Sequence, residues 1–146
     1  MKSAGLTHGG FYAHFASRDE LVAEAITTAA EATGARVLSE AAGDLQATLG
    51  AYLSPEHVAH PEGGCVLAAL GTDGRTQAAP VRRAFAYAAK GFVVFIDRKV
   101  RRRPRGSGPS DEALLLSAQM IGAVILARLF DDPALAARML EVARRQ

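Results

Sequence analysis

Residues 17–43 read SRDELVAEAITTAAEATGARVLSEAAG, and this stretch sets the fold class. Ser17 with Glu20 three positions on is a capping box: the serine hydroxyl accepts from the Glu20 N–H, and the Glu20 carboxylate returns the bond to Ser17. Leu21, Ala25, Thr28, Ala32, Ala35 and Leu38 or Ser39 then recur at steps of three and four. That spacing predicts a helix of about seven turns ending near Gly43, with those residues as its apolar face. Outward from it, Gly, Pro and cap residues cut the chain into helix-length pieces, and no stretch alternates as a strand does. The fold class expected is all-α, a helical bundle.

Composition agrees. The 146 residues are 49% apolar, 22% charged and only 6% aromatic, without tryptophan, which suits one globular domain rich in helix and excludes a disordered tail. Cys65 is the single cysteine, so no intrachain disulfide forms and a reducing, cytoplasmic setting is expected. No signal pattern opens the sequence. The apolar run 120–130 is broken by Gly122 and Arg128 and falls short of the roughly 20 residues of a membrane span. No membrane contact is expected.

The net charge of +2 is unevenly placed. Segment 98–105, RKVRRRPR, holds six of the 17 basic residues and no acid, so the remainder is net acidic. Basicity concentrated in a connector is no signature of nucleic-acid binding, and most such runs are solvated helix ends.

After the first helix, the spacing predicts a short one over 45–53, closed by Ser54-Pro55, and a turn over 56–59 before the loop 60–64. A buried helix from Cys65 to about Leu70 could run on to Gln77. Pro80 fits the first turn of a helix carrying Val81, Ala84 or Phe85, Ala88, Phe92, Phe95 or Ile96 and Lys99. Ser110, and later Asp132 ahead of Pro133, cap the last two helices. The penultimate one presents Leu114, Leu115, Leu116, Met120, Ile121, Val124, Ile125, Leu126 and Leu129, more apolar faces than one neighbour covers, and a second subunit would supply the rest.

His57 and His60, with Glu56, Glu62 and Cys65 nearby, have metal-binding side chains but match no strong zinc spacing. Cys65 in apolar surroundings reads as a buried, inert thiol. No phosphate loop or serine elbow occurs, so neither an enzyme nor a cofactor is expected.

The most specific pattern is at the amino end, MKSAGLTHGGFYAHFASRDEL over 1–21. The turn glycine Gly5, the cap Thr7, the run Gly10-Phe11-Tyr12-x-His14-Phe15 and the box Ser17-Arg18-Asp19-Glu20-Leu21 resemble the tetracycline-repressor (TetR) family. There the corresponding segment is the second half of a helix-turn-helix and the start of the helix leading into the regulatory domain. The resemblance continues at 64–71 (GCVLAALG), 80–85 (PVRRAF) and 121–128 (IGAVILAR) followed by Asp131-Asp132-Pro133.

It implies a partial helix-turn-helix over 1–20 and a ligand-binding and dimerisation domain over 21–146. It further implies DNA contacts from Thr7 and His8 at the amino end of a recognition helix, close backbone approach at Gly9, polar tips from Tyr12 and His14, and a cation at Arg18. Such regulatory domains enclose an apolar cavity, here placed among Leu67, Phe85, Phe92, Phe95 and Met120, for a small, largely apolar effector. The function implied is a ligand-responsive regulator, a repressor binding operator DNA as a homodimer through its last two helices. The family's DNA-binding unit has one further helix and most of another ahead of the position of Met1, so impaired operator binding is expected. A start assigned at an internal methionine and a true truncation both fit. The alternative is a regulatory module of this type that binds ligand or dimerises without DNA.

Overall fold

The computed structural model describes residues 14–40, 44–101 and 108–145, the side chains of 36–40 excepted. Thr7, His8, Gly9 and Tyr12 lie outside the described residues. The fold is all-α, and among the described residues there is no strand. In chain order the helices are α1 (Arg18–Glu40), α2 (Leu45–Tyr52), α3 (Pro55–Ala59), α4 (Val66–Leu70), α5 (Ala79–Val100), α6 (Asp111–Leu129) and α7 (Pro133–Arg144), with 3₁₀ turns at Pro61–Gly63 and Gly71–Thr76.

The helices start where side chains satisfy free backbone N–H groups. The Glu20 N–H donates to Ser17 Oγ at 3.2 Å, and the Glu20 carboxylate reaches one residue further back than expected, to the Ala16 N–H at 2.9 Å. Asp44, Ser54, Ser110 and Asp132 cap α2, α3, α6 and α7 in the same way. Proline occupies the first turns of α3, α5 and α7, where a missing N–H costs nothing. The apolar run after Cys65 stays α-helical only to Leu70 and then tightens into the 3₁₀ turn at Gly71–Thr76, so the α-helix does not run on to Gln77.

α1 forms as its cap and spacing predict, but it buries a different face. Leu21, Ala25, Thr28, Ala32 and Ala35 are exposed. Ile26 is buried, and Val22, Ala23, Ala29 and Ala30 pack against the core. The two faces both recur at steps of three and four, and Ala and Thr stand on each. Position of the neighbouring helices, chiefly α5, selects between them.

The core is drawn from every α-helix except α3, and its fully buried members include Leu49, Leu53, Ile96, Met120 and Val124. α6 lies through its middle and buries Ala113, Leu116, Ser117, Met120, Ala123, Val124 and Ala127. By length and composition α6 is also long and apolar enough to cross a membrane, contrary to the expectation from 120–130 alone. The helical stretch extends back to Asp111, and most of one side is committed to the core.

The end of α5 is tied to the start of α6 through the Asp97 carboxylate. Asp97 Oδ1 accepts from Arg101 Nε, the Ser110 N–H and the Ser110 hydroxyl, each at 2.8 Å. The Ser110 N–H, then the serine hydroxyl and Arg101, hold the Asp97 carboxyl below its ordinary pKa. A carboxylate with a depressed folded pKa stabilises fully above the unfolded value near 3.9 and loses that contribution as pH falls through the folded one. Asp97→Asn is therefore expected to lower the urea midpoint at neutral pH, with the gap to wild type closing as the pH falls below the ordinary carboxylate range. A gap independent of pH would show that the charge is not what ties the two helix ends.

Candidate functional site

A cavity of about 450 Å³ opens to solvent between α1 and α5, with α2, α4 and α6 forming its inner wall. Its existence follows from the residues that face it. Gly34 of α1 and Gly91 of α5 both line it, and a Cβ added at either would meet nothing within 4 Å. A glycine inside a helix costs about 1 kcal/mol relative to alanine, and here two of them leave space where larger side chains would close the helices together. Ala30 and Ala88 are small as well.

The lining is apolar and aromatic. Phe92 and Phe95 of α5, Leu67 of α4 and Met120 of α6 are part of it, four of the five residues that the sequence placed on a cavity wall. Phe85 does not. Its ring lies over Gly74, whose added Cβ would stand 2.8 Å from it, because the 3₁₀ turn Gly71–Thr76 folds across the first half of α5 and takes up that side chain. Tyr52 is 4% exposed and packs its ring against Phe92 at 5.3 Å and edge-on to His57 at 4.6 Å.

Tyr52 Oη is buried, and among the described residues no group meets it in hydrogen-bond geometry, the Cys65 thiol being a near neighbour and at most a weak partner. Burial pushes its pKa far above that of an ordinary phenol, and the Cys65 thiol nearby raises it further, against a smaller opposing effect of Arg128. The hydroxyl is thus neutral at every working pH. An unpartnered buried hydroxyl is a net cost, so Tyr52→Phe is expected to leave stability unchanged or raise it by up to about 1 kcal/mol. A loss of that size in a denaturant melt would contradict an unpartnered Oη.

His57 organises the wall from behind. Its Nε2 accepts the Cys65 N–H at 3.0 Å, which leaves Nδ1 to carry the proton toward the Tyr52 carbonyl at 2.6 Å. The ring is therefore a neutral strut between the end of α2 and the start of α4. Arg128, near the end of α6, donates to the carbonyls of His57 at 2.7 Å and of Val58 and Ala68 at 3.2 Å. These are orphan carbonyls at the carboxyl ends of short helices, where a guanidinium also meets the favourable end of the helix dipoles.

His60 is separate from this arrangement. It is exposed and bonds Glu62 at 3.2 Å and Glu56 at 3.3 Å, and no three His, Cys, Asp or Glu side chains among the described residues come together as a metal site. Cys65 is buried and free.

At the mouth, the Tyr87 hydroxyl donates to Glu31 Oε1 at 3.2 Å across the α1–α5 gap. Lys90 and Arg98 stand on the α5 side. His14 and Arg18, exposed, are at the other end of α1. Sequence reading passed over Tyr52, Glu31, Lys90 and Arg98 as cavity residues. The one signal available was the pair of glycines, each out of place inside a strong helical pattern. No family model matches this chain, and no curated protein matches it.

Proposed function

We propose that this chain is the effector-binding and dimerising part of a tetracycline-repressor-like transcription regulator, a ligand-responsive repressor acting in the cytoplasm. The observation that carries the reading is the course of α1. One continuous helix begins beside His14 and Arg18, at the end of the motif resembling a DNA-reading unit, and lines the cavity with Ala30, Glu31, Thr33 and Gly34. A ligand that favours one setting of α1 against α5 shifts the spacing of two DNA-reading ends in a dimer, which is coupling by population shift.

The dimer reading rests on apolar surface. Leu115 is 72% and Leu129 73% exposed, and with Ala118, Gly122 and Leu126 they form an outward stripe on α6. On α7, Leu135 and Val142, seven residues apart and so on one face of the helix, are exposed as well. Surface of this kind is characteristic of an interface, and the same patch on each copy suits a two-fold pair. Sedimentation at micromolar concentration is expected to give a dimer, and Leu115→Arg with Leu129→Arg a folded monomer. A monomeric wild type would overturn the interface.

DNA binding is tested by gel shift with DNA flanking the gene, using this chain and a form extended through an upstream in-frame start. Retardation abolished by Tyr12→Ala with His14→Ala supports the regulator. No retardation by either form leaves the second reading, a ligand-binding and dimerising module without DNA, which is favoured by the location of both cavity and apolar stripe from α1 onward.

A further inference from the structure

The rim of the cavity carries charge that its interior does not. Lys90 and Arg98 lie about two turns apart on α5 with Val94 between them, so the three share one edge of the opening. Among the described residues neither cation makes an ion pair. The nearest acid along the helix, Asp97, is engaged by Arg101 and Ser110. The acid on the opposite rim, Glu31, accepts from Tyr87. Among the described residues the inner wall offers no cation, only the hydroxyls of Tyr52 and Thr48, the latter donating to the Asp44 carbonyl, and the Cys65 thiol among apolar side chains.

Resting on the reading of this cavity as the effector site, we propose that its ligand is an amphipathic carboxylate. The apolar body lies against Phe92, Phe95 and Met120, and the carboxylate stays at the mouth between Lys90 and Arg98. Three physical arguments select this class. A carboxylate carried to the inner wall would lose its hydration with no cation to replace it. A cationic ligand would meet two like charges at the entrance. A neutral apolar molecule would fill the interior but leave the two cations without a role. Long basic side chains are suited to such a rim, since their stems cover apolar surface while their heads remain hydrated.

The test is isothermal titration calorimetry with decanoate and with decan-1-ol, which share an apolar body and differ in the head group. Both are kept below their aggregation limits. Decanoate is expected to bind wild type about tenfold more tightly than the alcohol, as two partly solvated ion pairs allow. Raising the salt concentration should erode that preference. Lys90→Gln with Arg98→Gln, which removes both charges and keeps much of each stem, should bring the ratio of decanoate to decan-1-ol affinity down to about one. Gly91→Leu, which fills the opening, should abolish binding of both probes. Equal binding of acid and alcohol, or a double variant that keeps the preference, overturns the carboxylate proposal, while the cavity reading stands if Gly91→Leu still blocks both. Absence of binding by either probe to folded wild type overturns the two together.

Discussion

Gly64→Ala is expected to destabilise the protein by about 2–3 kcal/mol, the cost of forcing a side chain into filled space and disturbing hydrogen bonds beside it. The backbone at Gly64 is ordinary, with φ −95°, so strain plays no part. Space does. A Cβ there would lie 2.7 Å from His57 Cδ2 and Nε2 and 3.3 Å from an Arg128 nitrogen. The imidazole cannot retreat cheaply, because Nδ1 is held by the Tyr52 carbonyl and Nε2 by the Cys65 N–H. The Gly64 carbonyl itself accepts from Thr33 of α1 at 3.1 Å, so movement of the loop instead would strain the contact with the cavity's other wall. Gly63→Ala is the control: a Cβ at that position meets nothing within 4 Å, and its effect should be within about 0.5 kcal/mol of zero. Urea melts of the two variants decide the matter, and equal midpoints would show that the His57 ring gives way freely.

Arg128→Ala should cost about 3 kcal/mol, since three carbonyls lose a charged donor at once and hydrogen bonds to charged groups each contribute about 1.5–3 kcal/mol before non-additivity. Partial access of water to Arg128 keeps the loss below the sum. Lysine should restore only part of it, because one compact ammonium lacks the planar fork that reaches three acceptors on two helices. The loss is also local in its consequence. The Val58 and His57 carbonyls belong to α3 and the Ala68 carbonyl to α4, and α4 with the residue before it supplies Cys65, Val66 and Leu67 to the cavity. Amide exchange should therefore quicken first across 55–70, ahead of α5 and α6. Uniform quickening would mean that Arg128 supports the whole fold and not this wall.

Much of the architecture was legible because helix ends are chemically local. Ser17, Ser110 and Asp132 each act on an N–H within three residues, and Pro80 and Pro133 need only their own geometry. Phe92, Phe95, Leu67 and Met120 line the cavity, and size with helical spacing was their signal, although Leu115 and Leu129 carry the same signal and are exposed. Arg128 and His57 were not found. Their partners are between five and 71 positions away in sequence, and nothing in the local pattern distinguishes a guanidinium that ties helix ends together from one left in water. Phe85 and Phe92 are seven residues apart on one helix and share a face by spacing, yet the 3₁₀ turn takes the first and the cavity the second.

By itself, then, the chain's sequence determined that it is helical and where the capped helices begin, because caps, prolines and periodicity act over one or two turns. Only the tertiary structure decided which side of α1 is inside. Leu21, Ala25 and Thr28 make as good a helical stripe as Val22, Ile26 and Ala29, and small residues on both faces leave the choice to the partner helix. The same packing decided that Gly34 and Gly91 would stand at one opening. Either glycine alone is a weak spot in a helix; brought together across α1 and α5, they leave a cavity with cations at its rim.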